Sequence, residues 1–374
     1  MSTEEIIQFL REDGTLVENY TPELTNEELK YLYTLMVNTR TYEEKSLKLQ
    51  RTGRIGFYIG CKGQEASHIG SAYVLKDSDW FFPSYRNHGI LLLKGMSLKS
   101  IICQMIGNEG DPCKGRQMPC HFSYNEPNFK FVSISSPLAT QLPHAVGAAY
   151  AAKYLGKKDV TITYFGEGST SEGDFHVSVN FAGVYKTPTV FICENNQWAI
   201  SVPIERQTAA ESIAIKAKAY GIPGVKVDGN DIMAVHHVAK KAVERARNGE
   251  GPTLIESFTY RLGSHSSSDD ATRYRPQEVH EKWVNKDPII RLELYLKNNN
   301  ILSEEEIKAI YEKSENDLNE AIKEAEKLPS PKLDTLFYDV YEEVPYNLKL
   351  QMNALIDEQI RLGESVDNSM AFPL

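Results

Sequence analysis

Between residues 160 and 260 the chain alternates short apolar runs with helix-length spacers, and that alternation limits the folds open to it. The runs "VTITYF", "PTVFICE", "GVKVDG" and "PTLIESFTY" are rich in β-branched and aromatic residues, and Gly, Asn or Asp follows them. Near-continuous apolar strands separated by helices predict a parallel sheet covered on both faces. From about residue 55 to 275 we therefore expect an α/β domain. Residues 1–54 are expected to be a helical segment, in which "TNEELKYLY" opens with Thr25 as N-cap and Glu28 completing a capping box. Residues 276–374 are expected to be a helical extension. It contains "LSEEEIKAIYEKSENDLNEAIKEAEKLP", capped by Ser303, and a last amphipathic segment, "VPYNLKLQMNALIDEQIRLGE", whose apolar face needs a partner.

Composition narrows the function classes. At 374 residues the chain can bury a substantial core. A net charge of -10 argues against sequence-independent nucleic-acid binding, which needs clustered Lys and Arg. No apolar run approaches the roughly 18 residues of a membrane span. The start, "MSTEEIIQFLRED", has neither a secretory signal nor an Arg-rich presequence, so a cytoplasmic location is expected. Cys61, Cys103, Cys113, Cys120 and Cys193 show no CxxC spacing and are expected to be reduced thiols rather than disulfides or zinc ligands.

Within the alternating region, "YFGEGSTSEGDF" places Glu167 between two glycines, at the end of one strand and the start of a crossover helix expected from about Ser169. After about 26 residues the next strand ends in Asn195-Asn196. Neighbouring parallel strands end side by side, so Glu167 and Asn196 converge at the carboxyl edge of the sheet. A carboxylate, an amide oxygen and one backbone carbonyl suit Mg2+, which shares its roughly six oxygen ligands with phosphates. The glycines let the backbone approach a diphosphate, and helix N–H groups face it. A dinucleotide fingerprint fails here because Ser171 stands where the third glycine belongs, and a P-loop fails for want of Gly-Lys-Ser/Thr.

The pattern G-[DE]-G, about 26 residues, N-N is the diphosphate signature of thiamine diphosphate enzymes. With "ISSPLATQLPHAVGAAYAAK", "YRLGSHSSSDDATRYR" and "LFYDVYEEVP", the chain resembles the α subunit of the E1 component of 2-oxo acid dehydrogenase complexes, most of all the branched-chain type. The resemblance spans about residues 25–363. It implies a thiamine diphosphate-binding fold of the diphosphate-binding type, with Mg2+ held by Glu167, Asn196 and the Trp198 carbonyl. It also implies diphosphate contacts from Tyr85, Arg86, Gly168, Ser169 and His265. Ser136 is implied near the pyrimidine ring, and Leu138 under the bend of the cofactor. Ser135, Pro137, Thr140 and Gln141 match a K+ site, while Phe57 and Tyr58, with Tyr85, fall in the acyl-pocket region. His265 is implied near the reacting centre, and Ser266 occupies a position phosphorylated in mitochondrial relatives.

The chain departs from that family at two positions. Glu194 replaces an Arg before the Asn pair, and Ser84 replaces an amide side chain before Tyr85. Both make the phosphate pocket less basic. The second, pyrimidine-binding domain of such enzymes is missing from this chain. The resemblance therefore implies an α2β2 assembly with an E1 β subunit, oxidative decarboxylation of a 2-oxo acid, and acyl transfer to the lipoyl domain of an E2 partner. Pyruvate or acetoin in place of a branched-chain acid, or a non-catalytic scaffold, are the competing expectations; a nicotinamide dehydrogenase fails with the fingerprint.

Overall fold

The computed structural model describes residues 5–126, 129–333, 335–338 and 340–362, so the first four residues and the last twelve of the expected helical extension lie outside it. In chain order the elements are α1 (Asn26–Arg51), α2 (Glu65–Ala72), β1 (Trp80–Phe82), α3 (His88–Leu93), α4 (Leu98–Ile106), β2 (Tyr124–Glu126) and β3 (Phe129–Phe131). The central part follows with α5 (Gln141–Tyr154), β4 (Thr161–Gly166), α6 (Gly173–Tyr185), β5 (Thr189–Asn195), a small ribbon of β6 (Trp198–Ala199) and β7 (Val202–Pro203), β8 (Gly224–Asp228), α7 (Ile232–Arg247) and β9 (Thr253–Phe258). Five helices complete it: α8 (Gln277–Val284), α9 (Pro288–Asn298), α10 (Glu304–Ala325), α11 (Thr335–Tyr338) and α12 (Tyr346–Leu362).

Seven strands form one sheet in the order β2-β3-β1-β4-β5-β9-β8. Every pairing is parallel except β2 with β3 at one edge. The four apolar runs of the sequence are β4, β5, β8 and β9, and all seven residues of β5 are buried. Burial of both faces explains the unbroken apolar character of β4, β5 and β9, whereas β8, the edge strand, is half-buried and carries Lys226. Helices α5 and α6 bury Leu142, Val146, Phe175 and Val179 on one face, while α7 contributes Val235, Val238 and Val243 to the core on the other. The short strands β1 to β3 were not marked by the sequence pattern, because three residues show no period.

The N-terminal segment is only partly helical. Before α1, Ile7 bridges to Val227 and Leu10 to Leu16. Helix α1 itself starts as expected, with the Thr25–Glu28 capping box in place, and α10 has the same device in Ser303 and Glu306. The five cysteines are free thiols. Among the described residues no helix is long and apolar enough to cross a membrane.

One buried carboxylate ties the N-terminal segment to the sheet domain. Asp231 caps α7 through Oδ1, which accepts from the Met233 and Ala234 amides at 3.0 and 3.1 Å. Its other oxygen accepts from the Phe9 and Leu10 amides at 2.6 and 2.7 Å. Asp231→Ala removes a helix cap and strands two amides of the N-terminal segment, so about 3 kcal/mol or more of stability should be lost in urea unfolding. A loss below about 1 kcal/mol would show that the latch is dispensable.

Candidate active site

The loops after β1, β3, β4, β5 and β9 all leave the same edge of the sheet. They enclose a cleft of about 360 Å³ lined by Tyr85, Arg86, Ser136, Leu138, Glu167, Gly168, Ser169, Asn196, Trp198 and His265 among others. Parallel pairing sets its centre: Gly166 lies opposite Glu194, so Glu167 and Asn196 follow from adjacent strand ends. The Glu167 carboxylate accepts from the Asn196 amide at 3.2 Å and from Gln207 Nε2 at 3.3 Å. Asn196 Oδ1 accepts from the Trp198 amide at 3.2 Å, and its Nδ2 donates to Gln64 Oε1 at 3.3 Å. The Trp198 carbonyl accepts from Arg261 Nη1 at 2.9 Å, which leaves its second lone pair.

This donor set fits a hard cation. Glu167 is 1% exposed, and burial pushes its carboxyl pKa up. It has no Lys, Arg or His in ion-pair contact among the described residues, only two long neutral hydrogen bonds. A buried carboxylate in that state is stabilised by a metal ion. By contrast, the buried trio Glu43, Cys61 and Glu65, whose ligand atoms lie within 4.8 Å of one another, is satisfied from within. Arg40 pairs with Glu65 at 2.6 Å and the Cys61 amide donates to Glu43 at 2.6 Å.

The glycine loop differs from expectation in two details. Helix α6 begins at Gly173 and not near Ser169, because Glu167–Ser171 is a 3-10 turn. The amides of Gly168 and Ser169 therefore belong to this tighter turn. A Cβ on Gly168 would meet Ala199 Cβ at 3.0 Å, whereas one on Gly166 would meet nothing. Gly166 is extended (φ -82°, ψ 167°), a conformation open to any residue, so only Gly168 is required by close approach.

Arg86 and His265 meet across the cleft. Arg86 Nη2 lies 2.9 Å from both His265 Nδ1 and the His265 carbonyl, and Nη1 donates to the Gly60 carbonyl. The guanidinium can only donate, so Nδ1 accepts and the imidazole carries its proton on Nε2. Burial, then the Arg86 and Arg261 charges, push the His265 pKa down to about 3. The Asp269 carboxylate fixes the loop by accepting from the His265 amide at 2.7 Å.

Ser135, Pro137, Gln141 and Phe57 also line the cleft. Two expected residues do not. Thr140 sits at the start of α5 outside the lining, and Tyr58 is 0% exposed in the core with its hydroxyl 3.5 Å from His88. Tyr58 is thus a packing residue, as alternate side chains of an extended segment face opposite ways. The sequence reading missed Gln64, Gln207 and Arg261. Arg261 is the most traceable of them, a charge two residues before a Gly-Ser turn at the end of an apolar run; it is 1% exposed and braces both the Trp198 and Ile200 carbonyls. Left-handed φ at Ala139 (65°), Gln197 (69°) and Ile200 (53°) marks the cleft rim as strained, most clearly at β-branched Ile200.

A parallel α/β sheet whose carboxyl edge gathers a buried acid, amide oxygens and a guanidinium is the place where open α/β folds bind ligands, at a topological switch point. The sequence profile described as Dehydrogenase E1 component matches residues 33–334. The chain is 42% identical over 362 residues to the 3-methyl-2-oxobutanoate dehydrogenase subunit alpha of Mycobacterium tuberculosis, covering 96% of this chain and 95% of the relative. It is 43% identical over 344 residues to the mitochondrial 2-oxoisovalerate dehydrogenase subunit alpha of Homo sapiens, covering 92% and 77%. It is also 41% identical over 346 residues to the pyruvate dehydrogenase E1 component subunit alpha of Bacillus subtilis, covering 92% and 90%. The chain belongs to the dehydrogenase E1 component family, whose cofactor is thiamine diphosphate.

The folded-state pKa of His265 lies below its unfolded value near 6.5. Between pH 6.5 and about 3 the unfolded state therefore binds the extra proton, and stability falls as pH falls through that window. NMR titration of the ligand-free chain should find His265 neutral down to pH 5, and Arg86→Met should move its midpoint upward. A wild-type midpoint at or above 6.5 would remove the Arg86–His265 contact from consideration.

Proposed function

We propose that the chain is the α subunit of the E1 component of a 2-oxo acid dehydrogenase complex, acting on a branched-chain 2-oxo acid. The observation that carries this reading is the convergence of Glu167, Asn196 and the Trp198 carbonyl beside Arg86 and His265. Glu167, Asn196 and Trp198 would hold Mg2+, and the Mg2+ the diphosphate. Arg86 brings a planar fork of donors suited to phosphate, with the Gly168 and Ser169 amides alongside. Thiamine diphosphate, when bound, supplies the electron sink for loss of CO2 from the 2-oxo acid. His265, neutral with its proton on Nε2, serves as a hydrogen-bond donor or general acid near the reacting centre. Ser136, held by a hydrogen bond to buried His121, and Leu138 shape the wall for the cofactor's ring end. Ser135, Pro137, Thr140 and Gln141 form the proposed K+ loop, with Gln141 Nε2 anchored on the Tyr164 carbonyl at 2.6 Å.

The cleft mouth supports a partner. Leu138, Met118 and Ile200 around it are 42, 48 and 54% exposed, an apolar collar suited to a covering surface. The proposed cover is the E1 β subunit in an α2β2 tetramer, with the lipoyl domain of E2 as acyl acceptor. The relatives named for 3-methyl-2-oxobutanoate and 2-oxoisovalerate favour a branched-chain acid, and the one named for pyruvate keeps pyruvate as the second reading.

The α chain alone with thiamine diphosphate and Mg2+ should show little decarboxylation, and co-expression with its β subunit should restore it. The co-expressed enzyme should prefer 3-methyl-2-oxobutanoate over pyruvate by about 1–3 kcal/mol in kcat/KM, the worth of apolar branches in a fitted pocket. The reverse preference selects the pyruvate reading, and full activity of the isolated chain refutes the two-subunit site. In the assembled enzyme, Glu167→Ala should abolish Mg2+-dependent cofactor binding by calorimetry; retained binding would remove Glu167 from the metal site.

A further inference from the structure

Glu194 lies in the cleft wall next to the proposed metal ligands, and its carboxylate is engaged by side chains of this chain. It is 2% exposed. Oε2 accepts from Asn87 Nδ2 at 2.8 Å, and Oε1 lies 3.6 Å from Nδ1 of the fully buried His68. Asn87, itself 0% exposed, is the hub of the turn that carries Tyr85 and Arg86. Its Oδ1 accepts from the Ser84 amide at 2.8 Å and the Ser84 hydroxyl at 2.9 Å. The Ser84 hydroxyl oxygen in turn accepts from the Arg86 amide at 3.4 Å. The orientation of the Asn87 amide is forced: the Ser84 amide can only donate, so Oδ1 faces it and Nδ2 is left to donate to Glu194.

We propose that Glu194 is a positioning residue. Acting through Asn87, it clasps the Ser84–His88 turn to the end of β5 and so sets where Arg86 and Tyr85 stand in the cleft. The two positions at which the sequence looked impoverished, Ser84 and Glu194, are the two ends of this one hydrogen-bonded chain. Asn87 joins them, so removing the Glu194 carboxylate strands the buried Asn87 Nδ2 and frees the turn at that end. Arg86 continues the linkage to His265 on the opposite wall. Glu194 thereby fixes a diphosphate-binding side chain without touching the ligand, a role that rests on the function proposed above.

The chain can be tested by exchanging its polarity. Asn87→Asp sets a carboxylate against that of Glu194, whereas Asn87→Asp with Glu194→Gln restores a donor–acceptor pair of reversed sense. In the assembled enzyme, Asn87→Asp should raise the apparent KM for thiamine diphosphate more than tenfold, with kcat at saturating cofactor falling less than threefold. The double variant should return KM to within about threefold of wild type, as coupling between contacting groups requires. In the ligand-free full chain, amide exchange across residues 84–88 should accelerate in Asn87→Asp and recover in the double variant. A double variant no better than Asn87→Asp in both measurements overturns the clasp, as does an Asn87→Asp enzyme indistinguishable from wild type. If Asn87→Asp does not fold, Glu194→Ala takes its place. It should speed exchange at 84–88 and raise the cofactor KM, and unchanged exchange and KM would overturn the clasp equally. A wild-type assembly that binds no cofactor would refute the proposed function instead, and the amide-exchange arm would still decide the clasp.

Discussion

The ladder between β4 and β5, running in register from Thr161 opposite Thr189 to Gly166 opposite Glu194, sets where Glu167 and Asn196, the centre of the cleft, can stand. Both strands are buried on both faces, so their side chains cannot slip by one residue without turning core positions outward. That register brings Glu167 within hydrogen-bonding distance of the Asn196 amide. The next pairing, β5 with β9, aligns Asn195 with Phe258 and delivers Arg261 and His265 to the same edge. Glu256 stiffens this junction from below, accepting from Asn195 Nδ2 at 2.8 Å and from the Ala214 amide at 2.9 Å. The cleft is thus built on strand ends whose positions the core has already set, the arrangement that holds a site most tightly.

Charge in the cleft is balanced by geometry rather than by ion pairing. Glu167, Arg86 and Arg261 are each at most 4% exposed, and the two guanidiniums are spent on carbonyls and His265, not on the acid. A buried acid kept apart from buried cations holds its attraction in reserve for a ligand that brings both signs. The proposed metal diphosphate would do so, its cation meeting Glu167 and its phosphate oxygens meeting Arg86. His265 fits the same logic: kept neutral beside two guanidiniums, it can donate a hydrogen bond to an anion without adding a third positive charge.

How much of this was legible from the sequence depended on pattern length. Strands β4, β5 and β9 announced themselves because burial on both faces demands unbroken apolar runs, the edge strand β8 by its valines alone, and the Thr25 and Ser303 caps because a capping box is a local rule. Glu167 and Asn196 could be joined because one crossover unit separates them. Gln64, Gln207 and Arg261 reach the site from separate loops, and only Arg261 carries a local mark, its charge at the end of an apolar run. Tyr58 was placed beside Phe57 in the pocket, but neighbouring residues in an extended segment face opposite sides, and the core claimed the tyrosine. Glu194 was read as a missing basic contact because a one-dimensional pattern shows which residue is absent, not which partner its replacement has found. Only the fold brings Asn87 alongside it.

The same division between buried and open surfaces explains why the cleft is ordered at its floor and open at its rim. The polar floor of the cleft is fixed by the sheet and needs nothing further to hold its shape. Its rim is different. Leu138 and Ile200 stand exposed, and Ile200 holds a left-handed backbone that a β-branched residue adopts only under constraint. The two-residue turn that joins β6 to β7, with Ala199 opposite Val202, imposes that constraint, and Arg261 holds the turn by donating to the Ile200 carbonyl at 2.7 Å. The guanidinium that braces the proposed metal-binding carbonyl of Trp198 therefore also props the apolar rim outward. The polar floor and the rim proposed to face a partner are joined in one buried side chain, so a partner seated on that rim would bear directly on the carbonyl proposed to hold the metal.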